Sequence, residues 1–116
     1  MSNLEETVKT FLKRNKIDFV CQKKFNFIGR KSLDFYLPKY KTAIECQGIQ
    51  HYKCCHFFNS EKQQKRDCIK LKECQNNDIK IVYYTNYKYK KIIPSKLKNK
   101  TFFNLKLMLD NITNGI

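Results

Sequence analysis

Two short segments of alternating character, residues 32–37 and 42–47, are separated only by Pro38-Lys39-Tyr40-Lys41. A connection this short obliges the flanking strands to run antiparallel, so the pair reads as a β-hairpin. If the turn is symmetric about Lys39-Tyr40, Leu37 faces Thr42, Phe35 faces Ile44 and Asp34 faces Glu45. The period of two puts Leu33, Phe35, Leu37, Ile44 and Cys46 on one apolar face and Asp34, Glu45 and Gln47 on the other. A slip of one residue would invert both faces, so this register is strongly specified.

The rest of the chain supplies elements to pack around that hairpin. Leu4, Val8, Phe11 and Leu12 share one face of a helix expected over residues 3–15. Ser2, with Glu5 three residues on, has the pattern of a capping box. An extended stretch is expected over 18–27, with a turn at Gly29. A loop carrying Gly48, His51, Cys54, Cys55 and His56 precedes a helix over 60–76, which Asn76-Asn77-Asp78 stops. Residues 79–85 are strongly β-prone and read as a central strand. A basic, aromatic loop follows over 86–91, and a last helix is expected over 101–114 with Phe102, Leu105, Leu109 and Ile112 on one face. Helices alternating with strands predict an α/β domain with a mixed central sheet flanked by helices. At 116 residues the chain forms one domain, spanning 1–116.

The 24 basic and 10 acidic residues leave a net charge of +14, a field that favours a polyanionic partner. AT-rich coding explains why the basic residues are mostly Lys, and it fits a phage, a virus or an AT-rich bacterium, but it does not remove the charge. No apolar run approaches a bilayer span and the N-terminus lacks the order of a signal peptide, so a soluble, intracellular, cytoplasmic protein with no membrane partner is expected. The six cysteines then default to reduced thiols.

Opposed carboxylates in a sheet repel each other and lower its stability. A divalent cation between them reverses the sign of the interaction. Magnesium takes one or two carboxylates, keeps several waters and binds substrate phosphate. It also lowers the pKa of a water and stabilises charge building on a phosphodiester under attack. The alternative is a solvent-facing hairpin whose acids pair with the many lysines.

The segment Ser32-Leu33-Asp34-Phe35-Tyr36-Leu37-Pro38, followed by Ala43-Ile44-Glu45-Cys46-Gln47-Gly48-Ile49-Gln50-His51-Tyr52, resembles the central motif of PD-(D/E)XK nucleases. More narrowly it is similar to the branch related to very-short-patch mismatch-repair endonucleases and some phage homing endonucleases. The resemblance spans about residues 2–85. It implies a restriction-endonuclease-like core and an endonuclease that hydrolyses DNA phosphodiester bonds with Mg²⁺, or with Mn²⁺ in its place. Residue by residue, it implies that Asp34 and Glu45 hold the metal and that His51 is an active-site histidine. It aligns Asp67, in Arg66-Asp67-Cys68-Ile69-Lys70, with the acidic residue of the following helix, and Glu5 with a first-helix Glu that approaches the metal; Glu6 is its neighbour. Gln47 stands where many members have a Lys, so either Lys70 or His51 takes over that role or activity is reduced. Asp67 and Lys70 are also spaced for a plain surface ion pair.

Two further patterns bear on ligands. His51, Cys54, Cys55, His56, Cys68 and Cys74 raise a structural Zn²⁺, but adjacent Cys54-Cys55 match poorly the paired spacing that zinc sites use. Tyr87, Lys88, Lys90 and Lys91 mix rings with cations as single-strand binding surfaces do. Lys23, Lys24, Arg30 and Lys31 flank the hairpin as further DNA contacts, whereas Lys96, Lys98 and Lys100 read as a solvated linker. Besides the nuclease, a catalytically degraded fold acting as a DNA- or RNA-binding module and a purely structural domain are the competing readings. Cutting both strands would favour a homodimer, and sequence specificity would come from loops or from a separate partner.

Overall fold

The computed structural model describes residues 3–47, 58–93 and 95–114, with backbone only at 58–64, 67, 92, 95 and 96. The hairpin is present in the expected register. Strand β2 (Leu33–Leu37) runs antiparallel to β3 (Thr42–Cys46), with Phe35 opposite Ile44, Tyr36 opposite Ala43 and Leu37 opposite Thr42. The connection is a 3₁₀ turn, Pro38–Tyr40, closed by Lys41 in the left-handed region at φ 47°.

A short β1 (Val20–Lys23) lies antiparallel on the other side of β2. It covers only part of the extended stretch expected over 18–27, because residues 26–28 wind into a 3₁₀ turn; Gln22, inside the strand, takes φ 51°. Strand β4 (Lys80–Tyr84) pairs parallel with β3, and β5 (Thr101–Phe102) parallel with β4, so the sheet order is β1-β2-β3-β4-β5. A parallel neighbour needs a crossover, and the segment containing α2 (Phe58–Asn76) supplies it between β3 and β4.

Helix α1 (Asn3–Arg14) carries Glu5 and Glu6 in its first turn and Lys13 and Arg14 in its last, complementing the helix dipole at both ends. It ends in a Schellman arrangement. The Ile17 amide donates to Leu12 O and the Lys16 amide to Lys13 O, with Lys16 at φ 55°. Helix α2 ends in the same way: Ile79 donates to Cys74 O and Asp78 to Gln75 O, with Asp78 at φ 61°. In both cases the two hydrophobic residues of the motif, Leu12 with Ile17 and Cys74 with Ile79, belong to one core cluster.

The last helix is shorter than the sequence pattern suggests. α3 spans Leu105–Thr113, and Thr101 and Phe102, expected inside it, form β5 instead. Asn104 decides the boundary, since its extended backbone and side-chain acceptance from the Leu107 amide make it the N-cap. The open edge of β4 then takes the two preceding residues.

Both faces of the sheet are covered. Phe35, Leu37, Ile44, Cys46 and Val82 pack with Val8 and Leu12 of α1 and with Met108 and Ile112 of α3. On the other face Ala43, Ile81 and Tyr83 pack with Cys74 and Leu71 of α2 and with Ile93 and Leu97. The face expected to be polar is therefore interior, and every residue of β3 is buried. The reading of a solvent-facing hairpin is overturned on this ground. Residues 95–100, read above as a solvated linker, form a 3₁₀ segment anchored by buried Leu97. No described helix is long and apolar enough to cross a membrane.

Candidate functional site

The β2–β3 ladder pairs Phe35 with Ile44, and at the next position the carboxylates take over from backbone pairing. The Asp34 amide donates to Glu45 Oε2 at 2.8 Å, and the Cys46 amide donates to Asp34 Oδ2 at 2.9 Å. Each strand thus hands an amide to the acid of the other. This exchange holds both carboxyl groups where the strands part, at the carboxyl end of β3.

The third member comes from the crossover helix. Lys70 Nζ donates to Glu45 Oε1 at 2.8 Å, with only 14 % of the lysine side chain and 5 % of the glutamate side chain exposed. Lys70 therefore ion-pairs with Glu45. The side chain of Asp67, and with it the expected Asp67–Lys70 surface pair, lies outside the described residues. Glu5, on the first turn of α1, contributes a fourth charge.

Burial is the main reason that the Asp34 carboxyl titrates above the usual range; the Cys46 amide and Lys70 oppose that rise and the Glu5 charge adds to it. Glu45 is pushed up to about 7, again chiefly by burial and then by the Asp34 charge, with Lys70 pulling it back. Two acids that both resist ionisation, beside a single described lysine partner, form a site short of positive charge. That is the electrostatic condition a divalent cation relieves.

The donor set fits Mg²⁺ as far as it goes, since two carboxylates with water and phosphate completing the shell are what that ion takes from a protein. Among the described residues no group of three or more His, Cys, Asp or Glu side chains is arranged to hold an ion. Burial raises the Cys46 thiol far above the ordinary thiol range and Cys74 to about 11, so both are protonated in the metal-free protein. Cys21, Cys46, Cys68 and Cys74 are free thiols. His51, Cys54, Cys55 and His56 lie outside the described residues, as does Ser2, the other half of the capping box.

Gln47 follows Glu45 on the same face and is 1 % exposed. Its backbone is tied to β4, with its amide donating to Tyr84 O at 3.0 Å and its carbonyl accepting from Thr85 Oγ1 at 2.6 Å. The strand pairings also order the basic residues. Lys23 pairs with Leu33 at the start of β2, which places Lys23, Lys24, Arg30 and Lys31 at the same end of the sheet as Asp34. Tyr87, Lys88, Lys90 and Lys91 follow the carboxyl end of β4. Cations thus stand on both sides of the carboxylates.

Sequence reasoning missed Lys98 and Phe103. Both line one cavity of about 580 Å³ with Tyr87, Lys88, Lys90 and Lys91. No local pattern joins residues from two separate turns, although aromatic and basic content in each was a hint.

Among known proteins, the chain is 43% identical over 56 residues to "Uncharacterized protein 094L" of Frog virus 3, an alignment covering 43% of this chain and 36% of that protein. It is 37% identical over 75 residues to "Uncharacterized protein 307L" of Invertebrate iridescent virus 6, covering 59% of this chain and 36% of that protein. The chain spans about a third of the length of these viral relatives. No family model matches it, and no solved structure does either.

Proposed function

We propose that this chain is a metal-dependent nuclease domain of the PD-(D/E)XK type, hydrolysing DNA phosphodiester bonds with Mg²⁺ or Mn²⁺. The observation that carries the reading is the Asp34–Glu45 pair, interlocked across parting strands and buried with Lys70. A buried acid pair with one lysine is a poor way to stabilise a core, since well-packed apolar residues often do as well or better. The sheet order supports the same reading: antiparallel β1-β2-β3 continues into parallel β3-β4-β5, with α1 and α2 on opposite faces, as a restriction-endonuclease-like core requires.

Asp34 and Glu45 would hold the ion. When bound, it supplies a Lewis acid that activates water and offsets charge on the phosphate. Lys70 favours the ionised form of Glu45 against burial and the Asp34 charge, and it brings a positive charge next to the arriving phosphate, the task of the lysine that Gln47 replaces. Gln47 has an uncharged amide with which to orient water or a phosphate oxygen. Hydrolysis joins the water oxygen to phosphorus, breaks the bond to the leaving oxygen and requires a proton there. His51 is the residue assigned to that transfer, on its resemblance to the family histidine. Asp67 and Glu5 are assigned supporting roles on the same ground, with the Glu5 charge acting on Asp34. Cutting both strands calls for a homodimer or successive nicks, and sequence choice for a separate partner or the loops.

The test is incubation of the purified chain with supercoiled plasmid in Mg²⁺, Mn²⁺ or EDTA, beside Asp34→Ala and Glu45→Ala. Metal-dependent nicking that falls roughly a thousandfold or more in both variants is the expected result. Gln47 in the lysine position favours a second reading, a degraded nuclease that binds DNA or RNA. Tight, salt-dependent binding without cleavage in either metal would replace the first reading with this one.

A further inference from the structure

The cavity beyond β4 and β5 has the chemistry of a single nucleotide. Its volume of about 580 Å³ lies within the range of small-ligand sites, roughly 300–1,000 Å³. Tyr87 is 62% exposed. It is nonetheless held in place. It forms an edge-to-face pair with Phe103, centroids 5.3 Å apart at 79°, and Lys90 Nζ lies 5.1 Å from its ring centroid and donates to its hydroxyl at 3.3 Å. The turn beneath is set by Asn86, whose side chain accepts from the Lys88 amide at 3.0 Å. Four lysines, Lys88, Lys90, Lys91 and Lys98, surround these rings, and no carboxylate is among the described lining residues.

Position ties this cavity to the carboxylates. Thr101 lines it and pairs with Tyr83, which pairs with Glu45, which faces Asp34 across the hairpin. These residues form one row across one face of the sheet. Two strand spacings separate Glu45 from Thr101, about 10 Å. That is the length of roughly three nucleotides at the 3.4 Å rise of a stacked strand.

We infer that this cavity binds one unpaired nucleotide of a nucleic-acid strand, about three positions from the Asp34–Glu45 site. Lysines alone would suit any duplex backbone. A ring face needs an exposed base face, which a continuous duplex hides inside its stack. The substrate class that follows is DNA with a single-stranded stretch beside the bond to be cut, such as a gap, a flap or an overhang. The inference rests on the nucleic-acid reading above, but not on cleavage.

The experiment measures binding by anisotropy of fluorescein-labelled oligonucleotides in EDTA, comparing a single strand, a blunt duplex and a gapped duplex. The full chain is tested beside Tyr87→Ala, Tyr87→Phe and Lys98→Ala. Wild type is expected to prefer the single strand and the gapped duplex over the blunt duplex by roughly tenfold, the size of one base-stacking contact. Tyr87→Ala should abolish that preference and Tyr87→Phe should keep it. Lys98→Ala should weaken every DNA and lower the salt slope by about one. Equal affinity for all three DNAs, or a preference that survives in Tyr87→Ala, overturns the pocket while leaving the nuclease reading intact. Binding of free mononucleotide as tightly as the single strand overturns the strand assignment in favour of a small-ligand site. Absence of binding to any DNA overturns both.

Discussion

The two faces of the central sheet are both buried, yet they are filled by different chemistry. Against α1 and α3 the sheet presents Phe35, Leu37, Ile44 and Val82, all at 0–1 % exposure, packed with apolar partners. Against α2 it presents Ala43, Ile81 and Tyr83, and then, in the same layer, Glu45 at 4% exposure held by Lys70. The first face stabilises the fold by removing hydrocarbon from water. The second buries charged groups, which costs free energy unless every charge is met. The difference teaches where this chain gives up stability, and the acids lie there.

Breaking the apolar face should have the largest effect on folding. Phe35→Ala removes a ring that meets Phe19 edge-on, with centroids 5.7 Å apart. A loss of about 4 kcal/mol in urea-denaturation stability is expected, in all buffers and with or without metal. A loss below about 1 kcal/mol would mean that this face is not the core.

Lys70→Ala sharpens the comparison, because its effect should depend on conditions as that of Phe35→Ala does not. It leaves Glu45 buried without its cation, and at pH 8 a loss of about 3 kcal/mol is expected. At pH 5, where Glu45 is protonated, most of that loss should disappear. Adding Glu45→Gln to Lys70→Ala should recover stability at pH 8. Equal losses at both pH values would show that Lys70 acts through packing rather than charge.

The smallest effect, taken per pH unit, is a slope. The folded protein holds the Glu45 proton more tightly than the unfolded chain, since burial and Asp34 raise that carboxyl from 4.5 to about 7. The stability this contributes is fully present below pH 4.5 and is lost as pH rises through about 7. Metal-free protein should therefore weaken across this window at a rate on the order of 1 kcal/mol per pH unit. Glu45→Gln should flatten the slope, and Mg²⁺ at neutral pH should offset it. An unchanged slope in Glu45→Gln would assign it to other groups.

Much of this arrangement was legible along the chain. Pro38-Lys39-Tyr40-Lys41 and the alternation beside it set Asp34 against Glu45, because hairpin register depends on turn length and side-chain parity, both local. Helix α1 follows from apolar periodicity, the end of α2 from Asn76-Asn77-Asp78 and β4 from β-propensity, signals that are local in the same way. Tertiary structure alone decided the rest. Thr101 and Phe102 carry a helical pattern but join β4, since an unpaired strand edge and the Asn104 cap outweigh a weak local preference. Lys70 meets Glu45 across 25 residues, Phe103 meets Tyr87, and Lys98 joins them in lining one cavity. Contacts of that range depend on how the crossover helix and the parallel strands pack, and packing is a property of the whole chain rather than of any segment.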